Sequence, residues 1–290
     1  MCICFFQVGG PRAKYPLVFC GNRDEFLSRE SIVLHEWRGG SGGKHRRSFG
    51  GLDAVRGGTW LACSSNPGLG TFRFCVVHNI RRKHLEVDQT KQSRGDLPKD
   101  FVMGKLGAKE YAEQANRNGS KYFGFTLLLA DESGVYFTSN ANNRVLRLRE
   151  GTYSISNALL DTPWPKVVYG KELFRNVLED EEEDEDVLAH QLVMGVLKDA
   201  TLFPHPLPGV LDSGVEIFLS SINVSPFQWN QTNGWGLYAT RMHTALLVRR
   251  DLSLKVIEHS LDTKSSVQDW TGKWTVTQFD TATVQPSSRL

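Results

Sequence analysis

Short runs of apolar, β-branched and aromatic residues, separated by glycine, proline and polar turns, recur along most of the chain and predict many β-strands. The first run, Cys2–Val8, ends at Gly9-Gly10-Pro11, and a second run, Leu17–Cys20, follows. Together they predict a hairpin that brings Cys2 close to residues 21–25. The same criteria predict further strands at Thr59–Ser64, Phe72–Asn79, Tyr122–Ala130, Val135–Thr138, Arg144–Leu148, Tyr153–Ser156, Val215–Leu219, Thr244–Arg249, Lys255–His259 and Thr275–Phe279.

Three other segments are predicted to be helical. One begins at Asp96, as N-cap before an early proline, and continues to about Asn118 with a break near Gly104–Gly107. The other two are Pro163–Leu178 and Val187–Leu202. Because strands and helices come in groups rather than in alternation, the order predicts an α+β fold. No linker divides the chain, so residues 1–290 are predicted to form a single domain.

Eight consecutive acidic residues, Glu179–Asp186, stand between the last two predicted helices. Like charges in such a block repel one another, so the segment near residues 179–186 is predicted to be a flexible, solvated loop. The polar residues Thr283–Ser288 predict a frayed C-terminal tail.

The composition is that of an ordinary globular protein. Of the 290 residues, 40% are hydrophobic, 23% are charged and 10% are aromatic, which excludes a disordered chain, a collagen and a coiled coil. The formal net charge is only +2, so a nucleic-acid partner is not expected. No apolar run approaches the ~18 residues of a transmembrane helix. Five cysteines without a recognisable signal peptide favour reduced thiols in a cytosol-like compartment.

Cys2 is the first residue with candidate chemistry. Methionine before a small residue is commonly removed, which would leave Cys2 with a free α-amino group whose ordinary pKa is about 8. A neutral amine beside a thiol serves as base for its own side chain, as in N-terminal nucleophiles. The alternative is a small buried strand residue, the usual role of a free cysteine. A metal site at Cys2 and Cys4 is not expected, because zinc needs about four ligands.

A polar motif, Asn22-Arg23-Asp24-Glu25, directly follows an apolar strand, where burial of such groups requires partners. A surface turn is the simple interpretation. A pair formed by Arg23 and Asp24 that orients a catalytic thiol is the functional one. Asparagines at strand ends, such as Asn79, cap turns more often than they line oxyanion holes.

Taken in order, these and several other motifs resemble the NRDE family, also called the Transport and Golgi organization protein 2 family. The resemblance extends over most of the chain, to about Trp270. Its motifs are Met1-Cys2-Ile3, Asn22-Arg23-Asp24-Glu25-Phe26 with Arg29, Gly57-Gly58-Thr59-Trp60-Leu61, Arg94-Gly95-Asp96-Leu97, Gly124-Phe125-Thr126-Leu127, Ser156–Trp164 and Thr240-Arg241.

The resemblance implies a fold similar to that of the N-terminal-nucleophile hydrolases, a four-layer αββα sandwich of two antiparallel sheets. The pattern is similar to that of the bile-salt-hydrolase and penicillin-V-acylase branch. On that resemblance, Cys2 matches the nucleophile, and Arg23 and Asp24 match the pair that orients it.

Three later residues complete the implied site. Asn79 and Asn157 match the asparagines that hold the oxyanion and the amine, and Arg241 matches an arginine near the thiol. His78 stands before Asn79 where the family pattern predicts another residue.

Three functional hypotheses follow. The first is a protein that handles a small amphipathic ligand, haem or an acyl-CoA-type lipid, in a hydrolase-like pocket, because the family is linked to haem and lipid trafficking and to Golgi and secretory organisation. The second is an active N-terminal-cysteine amidohydrolase or thioesterase, acting on C–N amide or thioester bonds. The third is a non-catalytic organising protein. No cofactor is required, and haem enters only as a transported ligand, since the Cys-x-x-Cys-His motif of covalent haem is absent.

The cytoplasm is the expected location, and the resemblance implies Golgi or mitochondrial association. Ser288-Arg289-Leu290 is similar to the Ser-Lys-Leu peroxisomal signal, so import into peroxisomes is an alternative. The basic stretches Lys44–Arg47 and Arg81–Lys83 are predicted to be solvated, with contacts to propionates or phosphates as the alternative.

Overall fold

The computed structural model describes residues 2–37, 47–82, 88, 90–180, 184–231, 234–262 and 272–282 of the chain. Its strands are β1 (Ile3–Val8), β2 (Leu17–Phe26), β3 (Ser31–Trp37), β4 (Arg47–Asp53), β5 (Leu61–Asn66), β6 (Thr71–Asn79), β7 (Phe125–Asp131), β8 (Gly134–Ser139), β9 (Arg144–Arg147), β10 (Gly151–Ile155), β11 (Phe227–Gln231), β12 (Gly234–Val248), β13 (Leu254–Leu261) and β14 (Trp274–Asp280). Its helices are α1 (Asp96–Met103), α2 (Ala108–Arg117), α3 (Pro165–Glu179), α4 (Glu185–Gln191) and α5 (Ser213–Phe218), and a π-helical segment, Leu192–Leu197, continues α4.

The strands form two antiparallel sheets. The first has the order β10-β1-β2-β12-β13-β14, and β11 pairs with the beginning of β12. The second has the order β3-β4-β5-β6-β7-β8-β9. Strands β1 and β2 pair as the predicted hairpin, with Ile3 opposite Asn22, so Cys2 lies beside the end of β2.

Successive side chains along each strand point to opposite faces of its sheet, and both faces of each sheet are buried against another layer. The inner faces meet in a core between the sheets, to which Phe6 and Phe19 belong. The outer face of the first sheet packs against α3, α4 and the π-helical segment, where Phe5 stacks on Phe174. The outer face of the second sheet packs against α1 and α2 around Phe101. The layers are therefore helix, sheet, sheet and helix, which confirms the predicted αββα sandwich.

The prediction of a strand at residues 215–219 is wrong, because most of this segment lies in α5. The Asp212 carboxylate accepts a hydrogen bond from the Gly214 N–H at 2.9 Å and caps the helix. The hydrophobic period of such a short apolar run does not distinguish a strand from a helix. Here the capping hydrogen bond of Asp212 favours the helix. At the start of α1, Gly95 rather than Asp96 is the N-cap.

The acidic run is ordered at both of its ends. α3 ends at Glu179 and α4 begins at Glu185, whereas residues 181–183 lie outside the described part of the chain. The Arg249 guanidinium donates to the Glu185 carboxylate at 2.8 Å and to Asp280 at 2.7 Å. Asp186 forms a 2.6 Å ion pair with Lys255. The end of the acidic run therefore attaches α4 to the first sheet, rather than being only solvated.

Several sequence predictions concern residues that the structure does not describe. They are the predicted frayed tail with Ser288-Arg289-Leu290, most of the basic stretch Lys44–Arg47, and Lys83 at the end of the other basic stretch. Within the described ranges, none of the helices combines the length and the apolar character that a membrane crossing requires.

Candidate ligand site at the Cys2 end of the sandwich

Cys2 lies at the open end of the core between the sheets. Cys4 and Phe6 on the same strand point into that core, and alternation places Cys2 on the same face. The Ser156 hydroxyl donates to the Cys2 carbonyl at 3.3 Å, which ties the start of β1 to the end of β10. Cys2 is half-buried, in contrast to the fully buried cysteines of β5 and β6, Cys63 and Cys75.

The surroundings of Cys2 act on its thiol in opposite directions. Burial raises the pKa of the Cys2 thiol and the Asp24 charge raises it further, whereas the Asp24 backbone N–H and Arg23 favour the thiolate. Burial alone raises the pKa of Cys63 to about 12. The neutral thiol is therefore the dominant form of Cys2 at neutral pH, and Arg23 and the Asp24 N–H are described groups that oppose this.

Arg23 and Asp24 follow one another in β2 and so point to opposite faces of the sheet. The Arg23 guanidinium lies 4.3 Å from the centre of the Trp60 ring, and its ion pair with Glu25 measures 4.0 Å. Asp24 accepts a hydrogen bond from the Thr240 hydroxyl at 2.6 Å. Burial raises the pKa of the Asp24 carboxyl, and the neighbouring positive charges and the Thr240 hydroxyl oppose that rise.

The two predicted asparagines are joined by a hydrogen bond. The buried Asn157 side chain donates from Nδ2 to the Asn79 carbonyl at 2.8 Å, and the Asn157 carbonyl accepts from the Arg81 N–H at 2.8 Å. Asn157 Oδ1 is buried without a hydrogen-bond partner among the described residues. The Asn79 side chain is exposed. Of the two, Asn157 therefore has the side chain available to a group inside the site.

Arg241 is placed by an irregularity in β12. The pairing of β12 with β2 shifts register between Thr240 and Met242, which leaves Arg241 out of the ladder. Its Nη1 donates to the Phe26 carbonyl at 3.1 Å and also to the Arg29 carbonyl. Burial, and after it the positive charge of Arg23, lower the pKa of Arg241 to about 10.

Further arginines gather at the same end. Arg94 donates to the Gly124 carbonyl at 3.0 Å. Burial lowers the pKa of Arg94 to about 10, the charges of Arg82 and Arg29 contribute in the same direction, and Glu25 and Cys2 oppose them. The exposed Arg82 lies 5.6 Å from the centre of the Phe123 ring. We call the following residues the arginine cluster: Arg23, Arg29, Arg82, Arg94 and Arg241.

A close contact between two glycines brings Arg94 to this position. A Cβ atom at Gly58 would lie 2.6 Å from the backbone carbon of Gly95, closer than any side chain allows. The Thr59 N–H donates to the Gly95 carbonyl at 2.8 Å. The sequence motifs around these glycines therefore join the start of β5 to the start of α1, next to Trp60.

Lys166 is a charged residue of the site that the sequence prediction missed. It is 3% exposed and its ammonium donates to the carbonyls of Leu219 and Ser221 at 2.8 and 3.2 Å. Burial and the positive charge of Arg81 together lower the pKa of Lys166 to about 8, against the opposing effects of Asp24 and Cys2. The helical spacing of Lys166, Gly170 and Phe174 was a signal, because it puts the lysine on the buried face of α3.

A buried ion pair between Arg81 and Glu216 was also missed. Their charged atoms are 3.3 Å apart, and the side chains are 3% and 1% exposed. The Arg81 guanidinium lies 4.7 Å from the centre of the Trp164 ring. A narrow cleft beside the pair is lined by these three residues together with Lys166, Phe203 and Pro206. The prediction that Arg81 is solvated is therefore wrong, because the strand end and the loop before α5 enclose it.

Glu216 organises that loop. Its carboxylate accepts hydrogen bonds from the backbone N–H groups of Gly209, Val210 and Leu211 at 2.7, 2.9 and 3.0 Å. Burial disfavours its charge, but these three donors and Arg81 outweigh burial and lower the pKa of Glu216.

Across the described ranges, no three histidine, cysteine, aspartate or glutamate side chains converge as ligands for a metal ion.

Comparison with known proteins places these residues in a family. Residues 1–263 match the sequence model of the family described as Transport and Golgi organisation 2. The chain is 29% identical to the mouse protein named Transport and Golgi organization 2 homolog, over 97% of this chain and 98% of the mouse protein. It is 30% identical to the human Transport and Golgi organization protein 2 homolog, over 90% and 93% of the two chains. The Drosophila melanogaster protein named Transport and Golgi organization protein 2 is 24% identical, over 97% and 98%.

Proposed function

The chain belongs to the Transport and Golgi organisation 2 family, and we propose that it binds a small amphipathic ligand with an anionic end, haem or an acyl-CoA-type lipid, at the Cys2 end of the sandwich. The arginine cluster is the observation that carries this proposal. Burial is the main cause of the lowered pKa values of Arg94 and Arg241, and neighbouring arginines lower both in the same direction, whereas Asp53 and Glu25 raise the pKa of Arg29. An anion that enters beside Arg94 and Arg241 would offset these unfavourable effects and gain charge-assisted hydrogen bonds.

An aromatic side chain beside the cluster suits the apolar part of such a ligand. Phe123 lies within 6 Å of both Arg82 and Arg94. Phe123 is only half-buried, so it leaves apolar surface beside the two arginines for the body of a ligand whose charged end they bind.

Active hydrolysis by Cys2 is the second candidate function. The Asp24 N–H that favours the thiolate and the unpartnered Asn157 Oδ1 support it. Burial raises the pKa of Cys2, so hydrolysis would need a base such as its own α-amino group to remove the thiol proton. Cys2→Ala separates the two: hydrolysis of an acyl thioester is lost if Cys2 is catalytic, whereas ligand affinity stays within about twofold if the site only binds. A purely organising role predicts neither ligand binding nor hydrolysis.

The test of binding uses one exposed member of the cluster. Arg82→Gln removes a charge without emptying a buried position, and we expect it to weaken binding of palmitoyl-CoA and of haem about two- to fivefold, as loss of an exposed ion pair does. The matched control is Arg117→Gln, because Arg117 is 71% exposed and lies on α2, in an outer layer. Titration by fluorescence for palmitoyl-CoA and by the haem absorption band gives both affinities. Equal affinity of Arg82→Gln and Arg117→Gln for both ligands would contradict the proposal.

A further inference from the structure

Polar side chains replace apolar ones at the Cys2 end of the second sheet's inner face. On β6, Val76 belongs to the core between the sheets, and His78 is the next residue on that face. On β7, Leu128 belongs to the same core, and Thr126 is its neighbour on that face toward the site. His78 and Thr126 are direct cross-strand partners, so their side chains stand next to each other between the sheets.

The bonding capacity of this pair is unused by the described residues. His78 is 2% exposed and Thr126 is fully buried. Neither His78 Nδ1 nor Thr126 Oγ1 has a hydrogen-bond partner in the described ranges, and the same holds for Arg23 Nη1 and Asn157 Oδ1. A buried polar atom without a partner has lost its bonds to water without replacement, so a ligand that bonds to these atoms binds more tightly.

Backbone contacts link the neighbours of these residues at one end of the sandwich. Asn157 donates to the carbonyl of Asn79, the residue after His78. Arg23 stacks over Trp60, whose carbonyl accepts from the N–H of Val77, the residue before His78. His78 therefore lies between the backbone positions that Asn157 and Trp60 hold.

The pair differs from the arginine cluster in charge. Burial lowers the pKa of His78 to about 3, so its imidazole is neutral at physiological pH. A neutral imidazole has one donor and one acceptor nitrogen, and a threonine hydroxyl both donates and accepts. A carboxamide group, which offers an N–H and a carbonyl side by side, matches this pair, whereas a carboxylate offers acceptors only.

We propose that His78 and Thr126 form a subsite for a neutral amide group of the ligand, adjacent to the arginine cluster that receives the charged end. The inference rests on the proposed function in that the ligand enters at the Cys2 end. Of the two ligand classes proposed, the acyl-CoA type contains amides and haem contains none, so the subsite selects the former.

The test compares two alkylating reagents of nearly the same size at Cys2. Iodoacetamide has an amide and iodoacetate has a carboxylate; in both, the thiolate displaces iodide and forms an S–C bond. We expect Thr126→Val and His78→Leu to slow alkylation of Cys2 by iodoacetamide about three- to tenfold, the loss of one hydrogen bond, and to change the iodoacetate rate less than twofold. Arg82→Gln should do the reverse. Mass spectrometry of the Cys2 peptide gives both rate constants.

The matched control is Ser64→Ala, which removes another buried hydroxyl without a described partner, on the outer face of the same sheet. Both rates should stay at the wild-type values in this variant. Thr126→Val changes the side-chain volume little and keeps the test valid if His78→Leu fails to fold. Three results would overturn the subsite. In Thr126→Val, both alkylation rates fall equally or neither falls, or neither reagent alkylates Cys2 at all. Binding of palmitoyl-CoA or haem that still depends on Arg82 would leave the proposed function intact.

Discussion

Breaking the buried ion pair between Arg81 and Glu216 should destabilise the protein strongly. Removing one member of a buried pair typically costs about 3–5 kcal/mol, because the other charge stays buried. Three backbone donors still hold Glu216 after Arg81→Met, so we expect about 3 kcal/mol for that variant. Glu216→Ala removes the same three charge-assisted hydrogen bonds at about 1.5 kcal/mol each, so we expect about 4–5 kcal/mol.

Urea unfolding followed by tryptophan fluorescence measures these free energies of unfolding. The double variant Arg81→Met, Glu216→Ala should lose about 2–3 kcal/mol less than the sum of the two single losses, because the second change no longer strands a buried charge. The matched control is the exposed pair Glu113 and Arg117, with charged atoms 4.0 Å apart, whose removal should cost less than about 0.5 kcal/mol. Additive losses, or a loss below about 1 kcal/mol for Arg81→Met, would refute the reasoning.

Three further predictions concern other residues of the site and its support. Lys166 has a pKa of about 8 in the folded protein, below the ordinary value of 10.5, so the unfolded chain binds more protons than the folded one between pH 8 and 10.5. The free energy of unfolding should therefore rise with pH across that window. The rise should be smaller in the variant Lys166→Met. Asn22→Ala removes two 2.9 Å hydrogen bonds to the carbonyls of Leu197 and Ile222, so urea unfolding should show a loss of about 2–4 kcal/mol and hydrogen exchange at the π-helical segment should accelerate. Unchanged exchange there would contradict the role of Asn22 in holding that segment against β2. Peptide mapping should find Cys2 alkylated by iodoacetamide at least about tenfold faster than Cys63, because Cys2 is half-buried and Cys63 is fully buried; equal rates would contradict its placement.

Short apolar runs were sufficient to predict most of the strands, because strands buried on both faces leave near-continuous apolar runs, whereas the arrangement in two sheets was implied by the family resemblance. The hairpin of β1 and β2 is one example, since the pairing of two adjacent apolar runs is what sets Cys2 beside Arg23. The strands β3 and β4 escaped prediction, since their sequences mix charged residues and glycine with few apolar positions. The α5 segment was misassigned because its helix depends on the Asp212 cap rather than on a periodic pattern.

The residues of the site that belong to a sequence motif could be predicted, whereas those brought there only by tertiary contacts could not. The pairing of β1 and β2 makes Cys2 a neighbour of Arg23 and Asp24, and two adjacent apolar runs in the sequence are enough to predict that pairing. Lys166 and the partners of Arg81 come together from α3, the end of β6 and the loop before α5, and no local pattern connects those segments. The unpaired state of His78 also depends on which residues surround it in three dimensions.

The measurement that tests the central claim most directly is a structure of the chain in complex with palmitoyl-CoA or haem. The account predicts a phosphate or carboxylate oxygen of the ligand within about 4 Å of a guanidinium nitrogen of the arginine cluster, with the apolar part against Phe123. A ligand bound with its anionic group elsewhere, for example in the cleft beside Arg81 and Glu216 with the arginine cluster unoccupied, would contradict it.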